Sequence, residues 1–146
     1  MKVAITGSSG LIGTALTASL QADGHQVVRL VRHPPAAAPS AAGEPAAGTD
    51  AVREVRWDPR AADAGRPALS GVDAVVHLAG AGVADHRWTA AYKTEIRASR
   101  VLATRALAAA VAAAEVKPGA FICGSAIGWY GDTGGQPVTE DTPAGT

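Results

Sequence analysis

The sequence predicts an α/β fold, a doubly wound parallel sheet, on three observations. Short apolar runs without a polar face alternate with stretches of helical period. The connection between the first two runs is too long for a hairpin and suits a βαβ crossover. The first run also ends in a glycine-spaced turn, T-G-S-S-G-L-I-G at residues 6–13.

Each element follows from its own residues. Val3 to Thr6 is the first strand, apolar throughout as expected of a strand covered on both faces. From Leu11 the period becomes helical, with Ile12, Leu16 and Leu20 expected on one buried face and Gly24 as the stop. Val27 to Val31 is a second buried strand. Residues 34–50 hold little beyond alanine, proline and glycine, and their composition predicts a mobile surface loop. Val52 to Trp57 and Val72 to Leu78 are strands three and four, ending at W-D-P and A-G-A-G. Helix returns at Thr89 and runs to about Ala114, with Tyr92, Ile96, Ser99, Ala103, Leu107 and Ala110 along one face. Ala120 to Gly124 is the fifth strand, and the Gly/Pro/Thr-rich residues 125–146 read as an active-site loop. Alternation in this order is that of a Rossmann-type sheet with strand order 3-2-1-4-5, its ligand crevice at the carboxyl ends of strands one and four. The ending in such a loop suggests an N-terminal fragment whose C-terminal part is missing. The expectation is therefore a single dinucleotide-binding domain over residues 1–146.

Composition narrows the partners. Lysine plus arginine and aspartate plus glutamate each number 13, so no charge excess points to nucleic acid or an anionic membrane. A small-molecule ligand is expected instead. One cysteine, Cys123, and four scattered histidines leave no disulfide framework and no metal-ligand spacing, which suits a reducing cytoplasm. There is no apolar run long enough for a bilayer and no leader-like start.

The glycines carry a mechanical argument. Gly7 permits the sharp turn off strand one, Gly10 lets the backbone approach a pyrophosphate, and Gly13 lets helix and strand pack closely. Unpaired amides at the helix start would then face phosphates. A Walker loop is the rival reading, but Gly13 is followed by Thr14 with no lysine near. NAD-binding versions of the fold place an acid at the end of strand two. Here that strand ends in Arg32, and no acid occurs between Asp23 and Glu44, so NADP is favoured over NAD. The plainer alternative for Arg32 is a solvated strand-end charge.

The glycine turn, H-L-A-G at 77–80 and S-A-I-G-W-Y-G at 125–131 together resemble the extended short-chain dehydrogenase/reductase superfamily of nucleotide-sugar epimerases and dehydratases. R-W-T-A-A-Y-K-T-E-I-R-A-S-R-V at 87–101 and V-T-E-D-T-P-A-G at 138–145 are similar to its atypical, cell-division-inhibitor-like epimerase branch. The resemblance implies that Gly7, Ser9, Gly10, Leu11, Ile12 and Gly13 meet the pyrophosphate and Arg32 the 2′-phosphate. It further places Asp58 near the adenine, Ala79 and Gly80 on the ribose side, and Ser125 at the catalytic end of strand five. Asp58 before Pro59 is equally an ordinary turn residue, and His77 on a buried strand is more often a satisfied core histidine than a catalyst.

Two departures bear on chemistry. The superfamily's Tyr-x-x-x-Lys pair does not occur in residues 1–146, whose lysines are Lys2, Lys93 and Lys117; its usual position would fall at or just beyond Thr146, and the resemblance to the atypical branch implies its absence in any case. Arg100 stands where many extended members have asparagine. Ser125 and Tyr130 are the remaining catalytic candidates. Ser125 could donate to a carbonyl oxygen as charge develops, and Tyr130 could supply a proton, although a free phenol has a pKa of about 10 and needs help to do so at neutral pH. The plainer readings are a strand-end cap for Ser125 and a pocket wall for Tyr130. The expected function is an NADP(H)-dependent oxidoreductase or epimerase-like protein moving a hydride at a carbinol or carbonyl carbon, with a nucleotide sugar as candidate substrate and the fragment inactive alone. The alternative is a non-catalytic NADP-binding regulatory protein. A hydrolase is disfavoured because Cys123 stands at the first glycine position of G-x-S-x-G.

Overall fold

Residues 1–33, 52–61 and 69–145 are described by the structure, a computed structural model. The expected loop at 34–50 lies outside the described residues. The elements are β1 (Lys2–Thr6), α1 (Leu11–Ala22), β2 (Gln26–Val31), β3 (Arg53–Arg56), β4 (Ala74–His77), α2 (Ala90–Ala112) and β5 (Ala120–Cys123). All strands pair in parallel, in the order β3-β2-β1-β4-β5. Chain order reverses between β1 and β4, so their carboxyl ends, Thr6 and His77, flank the switch point.

The period of two along each strand divides the core between the two faces. Ala4, Val28, Leu30 and Val75 point to one face, where they pack with Trp57, Leu69, Val72 and the α2 residues Ala103, Leu107 and Ala110. Val3, Ile5, Val27, Ala74 and Val76 point to the other, against Leu16 and Leu20 of α1. One helix on each face accounts for the absence of a polar face in the central strands.

Several expected boundaries shift. β3 and β4 are shorter than Val52 to Trp57 and Val72 to Leu78, yet Trp57 and Val72 are buried just beyond the paired residues. Apolar runs mark burial, and burial outlasts strand pairing. Thr89 is the N-cap of α2, its hydroxyl accepting from the Tyr92 amide at 3.2 Å. Ile12 departs from the expected buried face and is 67% exposed. It lies in the first turn of α1, whereas Leu16 and Leu20, further along the helix, pack against the cluster of Val3, Ile5, Val27, Ala74 and Val76. β5 pairs with β4 at one edge of the sheet, and all four of its residues are exposed, unlike β3 at the other edge, where Glu54 and Val55 are half-buried. The loop after β5 also contains a regular piece, a 3-10 helix at Ile127–Tyr130.

Candidate functional site

At the end of β1 the chain reverses through Gly7, whose φ of +71° is a left-handed conformation that disfavours any side chain. A Cβ there would stand 2.6 Å from the Leu78 carbonyl carbon and 2.8 Å from the Ala79 nitrogen. The turn therefore rests backbone to backbone on the segment leaving β4. Gly10 is the extended N-cap of α1 and offers no side-chain cap, so the amides of Leu11, Ile12 and Gly13 begin the helix without one. Gly13 presses on the Gly7 carbonyl oxygen, and a Cβ would come within 2.7 Å of Ser8 Cα. Its closest approach is thus to Gly7 and Ser8, the residues that directly follow β1.

Two residues of this turn's support escaped the sequence reading. Ser8 is 2% exposed, and its Oγ accepts from Arg29 Nε at 3.0 Å. Arg29 also donates to Glu54 at 2.7 Å, joining β2 to β3 and to the turn. The available signal was an arginine inside the otherwise apolar V-V-R-L-V, since a charge on a covered strand needs a specific partner.

His77 is 3% exposed and both ring nitrogens are engaged, with Thr6 Oγ1 at 2.6 Å from Nδ1 and Thr104 Oγ1 at 3.1 Å from Nε2. The Ala79 amide donates to Thr6 Oγ1 at 3.4 Å. Each ring nitrogen thus has a hydroxyl partner, Thr6 on β1 and Thr104 on α2, and the imidazole ties β1, β4 and α2 together. The reading of His77 as a core histidine agrees with this network. Burial lowers its pKa from the ordinary histidine value. The unfolded chain therefore binds the extra proton more readily, and stability present above about pH 6.5 is lost as the pH falls through the folded-state pKa. The expected result is a melting temperature lower at pH 5 than at pH 7, with a smaller drop in His77→Asn. An equal drop in both proteins would remove His77 as the cause.

The remaining sequence candidates are spread along the carboxyl edge. Arg32 is exposed just past β2. Asp58 follows β3, where its Oδ1 accepts from the Arg60 amide at 2.9 Å and its carbonyl from Ala61 at 3.0 Å. Those bonds make it a turn residue in its own right. The Ala79 nitrogen lies directly against Gly7 of the turn, whereas Gly80, the next residue, lies against the Arg100 side chain of α2. Ser9 is exposed at the tip of the turn. Ser125 is exposed two residues past β5, where the Gly124 amide bonds the His77 carbonyl at 3.0 Å. Tyr130 is half-buried at the end of the 3-10 helix, and no hydrogen bond among the described residues joins it to Ser125. Among the described residues no group of three His, Cys, Asp or Glu side chains could hold a metal ion, and no helix is long and apolar enough to cross a membrane.

Comparison with known proteins matches residues 3–146 to the NAD dependent epimerase/dehydratase family. An epimerase family protein of Mycobacterium leprae is 42% identical over 99% of this chain, which spans 42% of that protein's length. The human epimerase family protein SDR39U1, solved with NADPH, superposes with a TM-score of 0.73 at 28% identity, covering 99% of this chain and 43% of that one. MoeE5, solved with UDP-glucuronic acid and NAD, superposes with a TM-score of 0.71 at 27% identity over 99% of this chain and 43% of that one.

Proposed function

The chain belongs to the NAD dependent epimerase/dehydratase family, and from that membership we propose that it is the NADP(H)-binding part of an oxidoreductase or epimerase-like enzyme. The reaction is hydride movement at a carbinol or carbonyl carbon of a small molecule, with a nucleotide sugar as the substrate class. The carrying observation is the side-chain-free N-cap at Gly10, beside a positive-φ Gly7, at the β1/β4 switch point. A cradle of this kind fits a pyrophosphate because, among the described residues, no side chain caps the helix start. When bound, the cofactor supplies or accepts the hydride.

The chain's residues divide the work of binding. The turn at Gly7, Ser9 and Gly10 and the amides of Leu11, Ile12 and Gly13 receive the pyrophosphate, Arg32 grips a 2′-phosphate, and Asp58 borders the adenine. Ala79 and Gly80 back the ribose on the far side of the turn. Ser125 donates a hydrogen bond to the substrate oxygen as it gains negative charge, and Tyr130 moves a proton. Preference for NADP over NAD rests on Arg32 and on the stretch without acids around it; the NADPH bound by the human family member supports it. The UDP-glucuronic acid bound by MoeE5 supports the nucleotide-sugar class.

Titration with NADPH tests the binding reading, and failure to bind would end it. For the chemistry, Ser125→Ala in an active protein carrying this chain should lower kcat by at least about tenfold, a conservative share of the roughly 2.7–4 kcal/mol typical of such donors. NADPH affinity should hold, and Tyr130→Phe should have the smaller effect. Full turnover in Ser125→Ala, or a loss explained by weaker NADPH binding, would demote Ser125 to a residue of the cofactor shelf.

The second reading is a non-catalytic NADP-binding regulator; residues 1–146, which span 42% of the Mycobacterium leprae relative, contain no Tyr-x-x-x-Lys, and the usual place of that pair falls at or beyond Thr146. Tyr92 does not substitute for the missing acid. Its hydroxyl donates to the Gly82 carbonyl, and burial together with the Asp85 carboxylate pushes its pKa up. Consumption of NADPH with keto-sugar nucleotides separates the two readings.

A further inference from the structure

The loop leaving β4 is built of small residues, A-G-A-G at 79–82, with few side-chain atoms to hold its shape. It is held instead from α2. The Ala81 amide donates to Ser99 Oγ at 3.0 Å, and Arg100 Nη1 donates to the Ala81 carbonyl at 2.9 Å. Both sides of the Ala81 residue are thereby gripped by adjacent residues of one helix. Ser99 Oγ donates in turn to the Ile96 carbonyl at 3.0 Å, and Arg100 Nη1 reaches the same carbonyl at 3.2 Å, so both anchors are braced on α2 itself. The guanidinium also covers Gly80, where a Cβ would lie 3.1 Å from Arg100 Cζ. One residue further, Tyr92 Oη donates to the Gly82 carbonyl. Three consecutive loop residues thus take their positions from a single helix.

We infer that Arg100, with Ser99, is a positioning residue that fixes the loop after β4 at the nicotinamide-ribose half of the cofactor cleft. The inference rests on the NADP(H) reading proposed above, and it concerns the opposite half of the cleft from Arg32. Sheet order places the two on either side of β1, with Arg32 past β2 and Gly80 past β4. A glycine-rich loop has many conformations, and a ligand that needs one of them loses affinity in proportion to the others. Arginine suits the task because its broad fork can bond the Ala81 carbonyl while its stem and guanidinium carbon stand against Gly80; lysine can supply the bond but not the breadth.

The test compares two probes on the same chain, NADPH and 2′,5′-ADP, the latter carrying only the adenosine half with its 2′-phosphate. Arg100→Met should weaken NADPH by about tenfold, the order expected for a lost hydrogen bond from a charged donor, with 2′,5′-ADP binding unchanged. Arg100→Lys should recover part of the loss. Ser99→Ala, which releases the other side of the same residue, should show the same selectivity. Equal weakening of both probes would mean a general disturbance of the domain and would overturn the inference, as would NADPH affinity untouched in both Arg100→Met and Ser99→Ala. Wild-type protein that binds neither probe would overturn the NADP(H) reading, and this inference with it.

Discussion

Gly13→Ala is expected to weaken NADPH binding by on the order of 100-fold, about 3 kcal/mol, and to lower the melting temperature by roughly 10 °C. The added methyl meets the Gly7 carbonyl oxygen and lies 2.7 Å from Ser8 Cα. Both neighbours are backbone, so no rotamer change can relieve the clash and the turn must open. Opening it displaces the amides of Leu11 and Ile12 from the position in which they meet a phosphate, and it strains the bond that Arg29 makes to Ser8. Gly24→Ala provides the contrast. Gly24 also has positive φ, at +75°, but a Cβ there meets nothing within 4 Å. That variant should lose only the roughly 1–2 kcal/mol of left-handed backbone strain and bind NADPH normally. Calorimetric titration beside thermal melts reads both. Wild-type NADPH affinity in Gly13→Ala would refute the assignment of the turn.

Arg32→Glu should weaken NADPH by roughly 10- to 150-fold, the equivalent of about 1.5–3 kcal/mol for a hydrogen bond to a charged group, and leave NADH nearly unaffected. Arg32 is exposed past the end of β2, so the substitution disturbs no packing and the melting temperature should hold. The discrimination is the informative quantity. A 2′-phosphate loses its cation and gains a neighbouring anion, whereas a 2′-hydroxyl gains an acceptor of the kind NAD-binding sheets place there. Equal losses for both cofactors, or no loss for NADPH, would return Arg32 to the status of a solvated charge.

The strands and the helices between them could be read in advance because they depend on patterns local to each segment, and the strand order then followed from the doubly wound arrangement that their alternation implies. Val27, Val28 and Leu30 announce a strand covered on both faces, and the step from Ala103 to Leu107 to Ala110 announces the buried stripe of α2. The turn was legible for a similar reason, since Gly7, Gly10 and Gly13 lie within one short segment whose spacing carries its mechanics. Ile12 was misplaced because periodicity gives the face of a helix but not which of its turns is covered. Trp57 and Val72 blurred their strand ends because an apolar side chain is buried by whatever packs on it, with or without a ladder hydrogen bond.

The amino-acid sequence by itself determined the parallel sheet, its 3-2-1-4-5 order and the bare amides of the glycine turn, all of which follow from short-range residue pattern and the handedness of βαβ connections. Tertiary structure alone decided what holds that turn and the loop opposite it. Thr6 and His77 are 71 residues apart, Ser8 and Arg29 are 21 apart, and Ala81 and Arg100 are 19 apart, and no pattern within a segment announces such pairs. They are hydrogen bonds between polar groups of different elements, and each exists only because the packed sheet brings its two partners to within about 3 Å, the range over which a hydrogen bond operates.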